Sequence, residues 1–167
     1  MAYTFANSVE LSSNPSSYDE YKKYELGSLG RTENGNIFKY VECDIADAID
    51  WAVGSPVGLV GDHKYSADMS DVGTTGVSAN CGGIATCAVD VSAFSDGVDT
   101  VYQWIQVSGS CAVTLHGDTD VTTGLHVVWH DDGVVDLLAD GEEHLSMGYC
   151  IGGSGTTALK IQLQGML

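Results

Sequence analysis

The clearest periodicity in this 167-residue chain lies near its end, where Leu159, Ile161 and Leu163 alternate with Ala158, Lys160 and Gln162. A period of two sends one set of side chains into a core and the other into water, which is the signature of a half-buried strand. Short β-branched or aromatic runs bounded by Gly, Asp or Ser recur at 84–89, 101–107, 111–115, 125–129, 134–138, 145–151 and 157–163. Earlier in the chain, Asn34-Gly35 reads as a two-residue type I′ hairpin turn leading into a strand over 37–43, and 56–60 is a short apolar strand. Residues 44–51 predict a short helical turn with Asp44 as its cap, and the polar, glycine-dotted stretch 62–80 predicts a long loop. Strands recurring about every ten residues with turn signals between them predict an all-β fold. The expected architecture is an antiparallel β-barrel or sandwich of short strands, with at most one or two short helical turns.

Residues 1–20 break this rhythm. Asn14-Pro15-Ser16-Ser17 is a cluster of breakers, and Tyr3, Phe5, Val9 and Leu11 are scattered around it without clean periodicity. An N-terminal arm over 1–23 is expected, attached to one domain over 24–167. Such an arm either packs on a neighbouring subunit or stays a loosely ordered terminus. One strand carries large groups on both faces: in 101–107, Tyr102 and Trp104 lie on one side and Val101, Ile105 and Val107 on the other. It is therefore either sandwiched inside the fold or pressed against another subunit. Because Tyr and Trp supply large contact areas, Tyr102 and Trp104 join Tyr3, Phe5, Lys22 and Lys23 as interface candidates.

Charge narrows the possible partners. Six Lys and Arg stand against 23 Asp and Glu, a formal net charge of −17, and no Lys or Arg lies between Lys64 and Lys160. Such a surface repels phosphate backbones and anionic lipid, so neither nucleic acid nor a membrane is an expected partner. It favours cations or a basic protein partner, and it keeps a concentrated protein soluble. No apolar run approaches the roughly 18 residues of a membrane span. The N-terminus lacks the basic and apolar regions of a secretory signal, so synthesis in a cytosol is expected. In that reducing setting, five cysteines without a CxxC pair read as free thiols acting as small buried hydrophobes, with a zinc site as the alternative.

The candidate chemical sites fail on spacing. His126 and His130 sit in a run too short and too β-branched for a helix. Four residues of strand span about 13 Å, too far for one zinc ion to bridge. Asp118-Thr-Asp120 opens like a calcium loop, but the twelfth position is Trp129 where a bidentate Glu is required. A looser calcium site from Asp118, Asp120 and Asp131, with Asp132 and Asp136 nearby in sequence, stays open. Gly152-Gly-Ser-Gly155 lacks the lysine of a phosphate-binding loop, and no G-x-S-x-G elbow is present. The reading is of a structural or binding protein with no catalytic residues and no cofactor.

An ordered series of signposts then becomes recognisable: Glu25-Leu-Gly-Ser-Leu-Gly30, Asn34-Gly35, Phe38-Lys-Tyr-Val41, Gly82-Gly-Ile-Ala85, Tyr102-Gln-Trp-Ile-Gln-Val-Ser-Gly109, Val121-Thr-Thr-Gly124, Met147-Gly148 and Ala158-Leu-Lys-Ile-Gln-Leu163. From about Tyr24 onward, this resembles the β-barrel or β-tulip decoration (cement) proteins of tailed-phage capsids. The Tyr-x-Trp-Ile-Gln-Val-Ser-Gly run is its most specific part. The resemblance implies a virion protein on the capsid exterior, made in the host cytoplasm, commonly trimeric, that binds the major capsid protein and braces contacts between its subunits without catalysis. Gln103 departs from the pattern by standing where such proteins often have Gly before the Trp, which predicts a differently shaped turn. The segment before Tyr24 lies outside the resemblance. Its deletion, over residues 1 to about 20, is expected to leave the barrel folded and weaken capsid attachment. The alternative is a calcium- or carbohydrate-binding β-sandwich using the acidic loops and Trp51, Trp104 and Trp129.

Overall fold

The computed structural model describes residues 8–44, 51–59, 66–68, 81–94, 100–114, 122–130, 134–137, 147–152 and 158–164. These form eleven strands: β1 (Ser8–Leu11), β2 (Leu29–Thr32), β3 (Ile37–Asp44), β4 (Pro56–Leu59), β5 (Ser66–Asp68), β6 (Cys81–Ala85), β7 (Thr100–Thr114), β8 (His126–His130), β9 (Val134–Leu137), β10 (Gly148–Gly152) and β11 (Ala158–Leu163). A 3-10 turn, Val91–Ala93, is capped by the Asp90 carboxylate, which accepts from the Ser92 amide at 3.0 Å. The strands pair into one sheet in the order β1-β2-β3-β5-β4-β6-β7-β11-β10-β8-β9, open at β1 and β9. The all-β expectation holds, but the sheet is mixed: β1 runs parallel to β2, and β3 parallel to β5. Because β3 pairs with β7 as well as with β5, strands β3, β5, β4, β6 and β7 run in a circuit.

The centre of the fold is β7. Residues 108–110 read as a turn between two strands in the sequence, yet Thr100–Thr114 is one strand of 15 residues. Its first part pairs with β3, and its second, from Gly109 to Thr114, pairs with β11. The change of partner is made by bending. The β3–β7 register slips by one residue between Gln106 and Ser108, a bulge that kinks and twists the strand. Gly109 follows at φ +96°, where a side chain would be strained, and a Cβ there would stand 2.2 Å from the Asn36 carboxamide oxygen. Ser-Gly-Ser therefore marks a bend within a strand.

Alternation along β3 and β7 then sorts the core. Val41 and Cys43 with Val101, Ile105 and Val107 join Trp51, Val57, Ala85 and Val89 in a cluster lined by the strand circuit. Past the bend, Cys111 and Val113 pack with Ile84, Val127, Val135, Met147, Cys150, Ile161 and Leu163. The period-two reading of β11 is confirmed at Ile161 and Leu163, both buried, and at exposed Lys160.

Several local expectations are corrected. The hairpin after β2 forms, but with a three-residue loop. The Gly35 amide donates to the Thr32 carbonyl (2.9 Å), the Thr32 amide donates to the Asn36 carbonyl (3.1 Å), and Gly35 sits at φ +85°. This is the type I turn with a left-handed glycine rather than the two-residue type I′ turn. Asp44 ends β3 instead of capping a helix, residues 45–50 lie outside the described residues, and Trp51 pairs with Val89 through backbone bonds of 2.9 and 3.0 Å. The 62–80 stretch contains β5, and β6 begins at Cys81 rather than at residue 84. Residues 8–11, read as irregular, form β1.

Candidate functional site

The even-numbered face of β3 and β7 points away from the circuit and carries Phe38, Tyr40, Tyr102 and Trp104. This is the strand expected to be sandwiched or pressed against another subunit, and the chain itself makes the sandwich. Val9 and Leu11 of β1, with Tyr24 and Leu26, lie on that aromatic face as a strap. Trp104 keeps only 5 % of its surface exposed, and the rings of Tyr24 and Tyr40 each stand 5.1 Å from it. Trp104, an expected interface anchor, is therefore already covered within one chain, and Tyr102 is half-buried and stacked on Tyr40 at 6.2 Å. Removing residues 1–20 would take Val9, Leu11 and the Asp19 pairing from these rings while Tyr24 and Leu26 stay, so this deletion is expected to destabilise the sheet as well as to weaken capsid attachment.

Asp19 fastens the strap. Its amide donates to the Tyr102 carbonyl (2.6 Å) and its carbonyl accepts from the Tyr102 amide (2.8 Å). Its carboxylate accepts from the Tyr40 hydroxyl (3.0 Å) and pairs with the Lys23 ammonium. The Lys23 amide donates back to the Tyr40 hydroxyl at 3.2 Å. Hydrogen bonding to Asp19 and then its charge hold the Lys23 ammonium above its ordinary range, while burial holds the Tyr40 hydroxyl protonated well above its own. Lys22 forms an exposed pair with Glu25 at 3.8 Å, and Tyr21 beside it is 80 % exposed. Lys22 and Lys23 thus share one solvent-facing bend of the strap with Tyr21. Tyr3 and Phe5 lie outside the described residues, as do Asp118, Asp120 and Asp131.

The interior holds free thiols, three of which burial keeps protonated. Cys43, Cys87, Cys111 and Cys150 are free and buried, as expected of small hydrophobes. Burial pushes the Cys87 thiol up to about 11, the Cys111 thiol up to about 12 and the Cys43 thiol upward as well, so the reactive thiolate is suppressed. Gln103 is mid-strand rather than in a turn, fully buried, and its side-chain oxygen accepts from the Cys87 thiol at 3.1 Å. The departure from glycine at this position therefore places an amide inside the circuit. Trp51 is also buried, so two of the three tryptophans proposed as a carbohydrate platform, Trp51 and Trp104, have no face to offer.

An open groove of about 960 Å³ follows the bend of β7, bordered by Asn14, Asn36, Gln106, Ser110 and Lys160. Asn36 organises it. Its oxygen accepts from the Ser110 amide (3.1 Å), and its nitrogen donates to the Asn14 side chain (3.3 Å), tying strap, hairpin and bend together. Gln106 donates to the carbonyls of Ser108 (3.2 Å) and Ser110 (3.1 Å). Among the described residues the groove's lining contains no Asp, Glu or His; its amides, hydroxyls and the Lys160 ammonium share it with apolar Phe38, Val53 and Ile84. Sequence reasoning missed β1 and Asp19. Ser8-Val-Glu-Leu11 does alternate, over four residues, whereas nothing around Asp19 announces its pairing with Tyr102.

No family model and no curated protein matches this sequence. Among solved structures the chain is similar to the N base of the head fiber gp8.5 of bacteriophage phi29. The TM-score is 0.47 and the identity 10 %, over 77 % of this chain and 94 % of that one.

Proposed function

We propose that this chain is a structural protein of a phage virion that attaches to the outside of the capsid, contacts the major capsid protein and assembles as a homo-oligomer, a trimer in the resemblance drawn above. The observation that carries this reading is where the most specific part of that resemblance falls. Tyr102 to Gly109 is the half of β7 that pairs with β3, packs both core and strap, and ends at the bend. The shared residues are thus the ones that specify the scaffold, which supports a related build. A rigid all-β body with unreactive interior thiols suits a bracing role, and a net charge of −17 keeps such a protein from associating indiscriminately when concentrated on a shell.

The test is mass spectrometry of purified phage particles whose genome carries this coding sequence, followed by rebinding of the purified chain to heads stripped of it. The expected result is stoichiometric presence in the particle and saturable rebinding. Absence from purified particles overturns the proposal. Tight binding of calcium or a glycan by the free chain, with no rebinding to heads, would replace it with the ion- or sugar-binding reading.

A further inference from the structure

Four adjacent stretches of sheet differ from the rest of the molecule. The second part of β7 (residues 110–114), β11, β10 and β8 carry no Asp or Glu at all, in a chain with 23 of them. Their outward face is set by register: Gln162 pairs with Tyr149 and Tyr149 with His126, making one row across β11, β10 and β8 that ends at Ser110 of β7, whose hydroxyl is buried. Lys160 and Ile151 stand beside that row, and Leu125 immediately precedes β8. Leu125, Tyr149 and Ile151 are 42 %, 37 % and 36 % exposed, and are three of the five exposed large hydrophobic side chains among the described residues. The His126 and Tyr149 rings lie 6.2 Å apart on this face. Exposed Lys160 also borders the groove at the β7 bend, so face and groove are continuous.

We infer that this face, whose described strands carry no carboxylate, is the surface through which copies of this chain associate. Two molecules of net charge −17 repel wherever their carboxylates meet, so contact requires a region from which those are absent and where apolar area can be buried. This face meets both conditions. Its two cationic or protonatable groups, Lys160 and His126, also set the geometry. A face-to-face contact sets these groups against a copy of the same face, whose strands offer them no carboxylate. A head-to-side contact opposes them to the acidic surface of the next molecule, and repetition of that contact about an axis closes a ring. The association is therefore heterologous, with β8, β10 and β11 of one molecule seated on an acidic side of its neighbour.

The inference rests on the proposed homo-oligomer, and sedimentation equilibrium of the full chain over a concentration series separates the two. Ile151→Glu and Lys160→Glu each change an exposed side chain; Tyr21→Glu changes an exposed ring on the strap. If wild type self-associates, each of the first two substitutions is expected to weaken association tenfold or more, and Tyr21→Glu to leave it unchanged. Wild-type association with both face variants indistinguishable from it overturns this surface while leaving the oligomer standing. A wild type that stays monomeric at every concentration overturns both. Hydroxyl-radical footprinting of wild type gives an arm free of substitution: Tyr149 oxidation falls on association and Tyr21 oxidation does not. An unchanged Tyr149 rate rejects the surface.

Discussion

At the scale of single residues, Asn36 and Gly109 show how much geometry rests on one contact. Gly109 turns β7 at a positive φ, and Asn36 fills the space a Cβ would need while accepting from the Ser110 amide. Asn36→Ala strands that amide and loses the Asn14 bond, so it is expected to lower unfolding free energy by about 1–3 kcal/mol in a urea titration. Gly109→Ala is expected to cost at least as much, because backbone strain of about 1–3 kcal/mol adds to the clash with Asn36. A variant as stable as wild type at either position would show that the bend is held by other contacts. Neither role was legible in the sequence: Ser-Gly-Ser and Asn-Gly-Asn both read as ordinary turns, and only the pairing of β7 with two different partners makes one of them a bend.

At the scale of elements, the strap is the part most misread from sequence. Val9 and Leu11 lack the length of run that would have announced a strand, and β1 gains its partner only because β2 lies under it. Its value to the fold comes from what it covers. Removing residues 8–20 takes away Val9, Leu11 and the Asp19 fastening, and leaves Tyr24 and Leu26 as the remaining cover of Phe38, Tyr40 and Trp104. Loss of about 3 kcal/mol or more is expected, with new binding of a hydrophobic dye, since each large side chain returned to water costs about 1.5–3 kcal/mol. Tyr40→Phe is the milder probe. It removes the 3.0 Å bond to Asp19 and the one received from Lys23, and is expected to cost about 1 kcal/mol by urea titration. A strap deletion with unchanged stability would show that it docks without supporting the sheet.

At the scale of the whole molecule, charge and buried thiols govern the response to solvent. A net charge of −17 makes self-repulsion a general destabilising term, so the melting temperature is expected to rise as added monovalent salt shortens the reach of that repulsion. The thiols set an alkaline limit. In the unfolded chain they ionise near their ordinary value of 9.0, whereas the folded protein holds Cys87 protonated to about 11 and Cys111 to about 12. Above pH 9 the unfolded state therefore binds fewer protons than the folded one, and stability falls with rising pH across that window. Urea titrations from pH 8 to 11 check the sign; stability that rises through this range would refute it. Thiol labelling of the native protein at pH 8 is expected to be slow and to become rapid on unfolding.

What the sequence determined by itself was whatever depends on neighbours along the chain. Period-two alternation and bounding turn residues established an all-β molecule and located β3, β8, β9 and β11 to within a residue or two. Composition established the acidity, and the shortage of lysines and arginines made Lys160 conspicuous. What only the tertiary structure decided was which strands meet. That both faces of β7 are apolar was plain from its residues, but whether a neighbouring subunit or the chain's own strap covered Trp104 depends on contacts between segments some ninety residues apart, about which local pattern is silent. The same holds for the outward face of β8, β10 and β11. Each of those strands lacks carboxylates in the sequence, and only their hydrogen-bonded register sets Gln162, Tyr149 and His126 in one row and turns three separate absences into one surface.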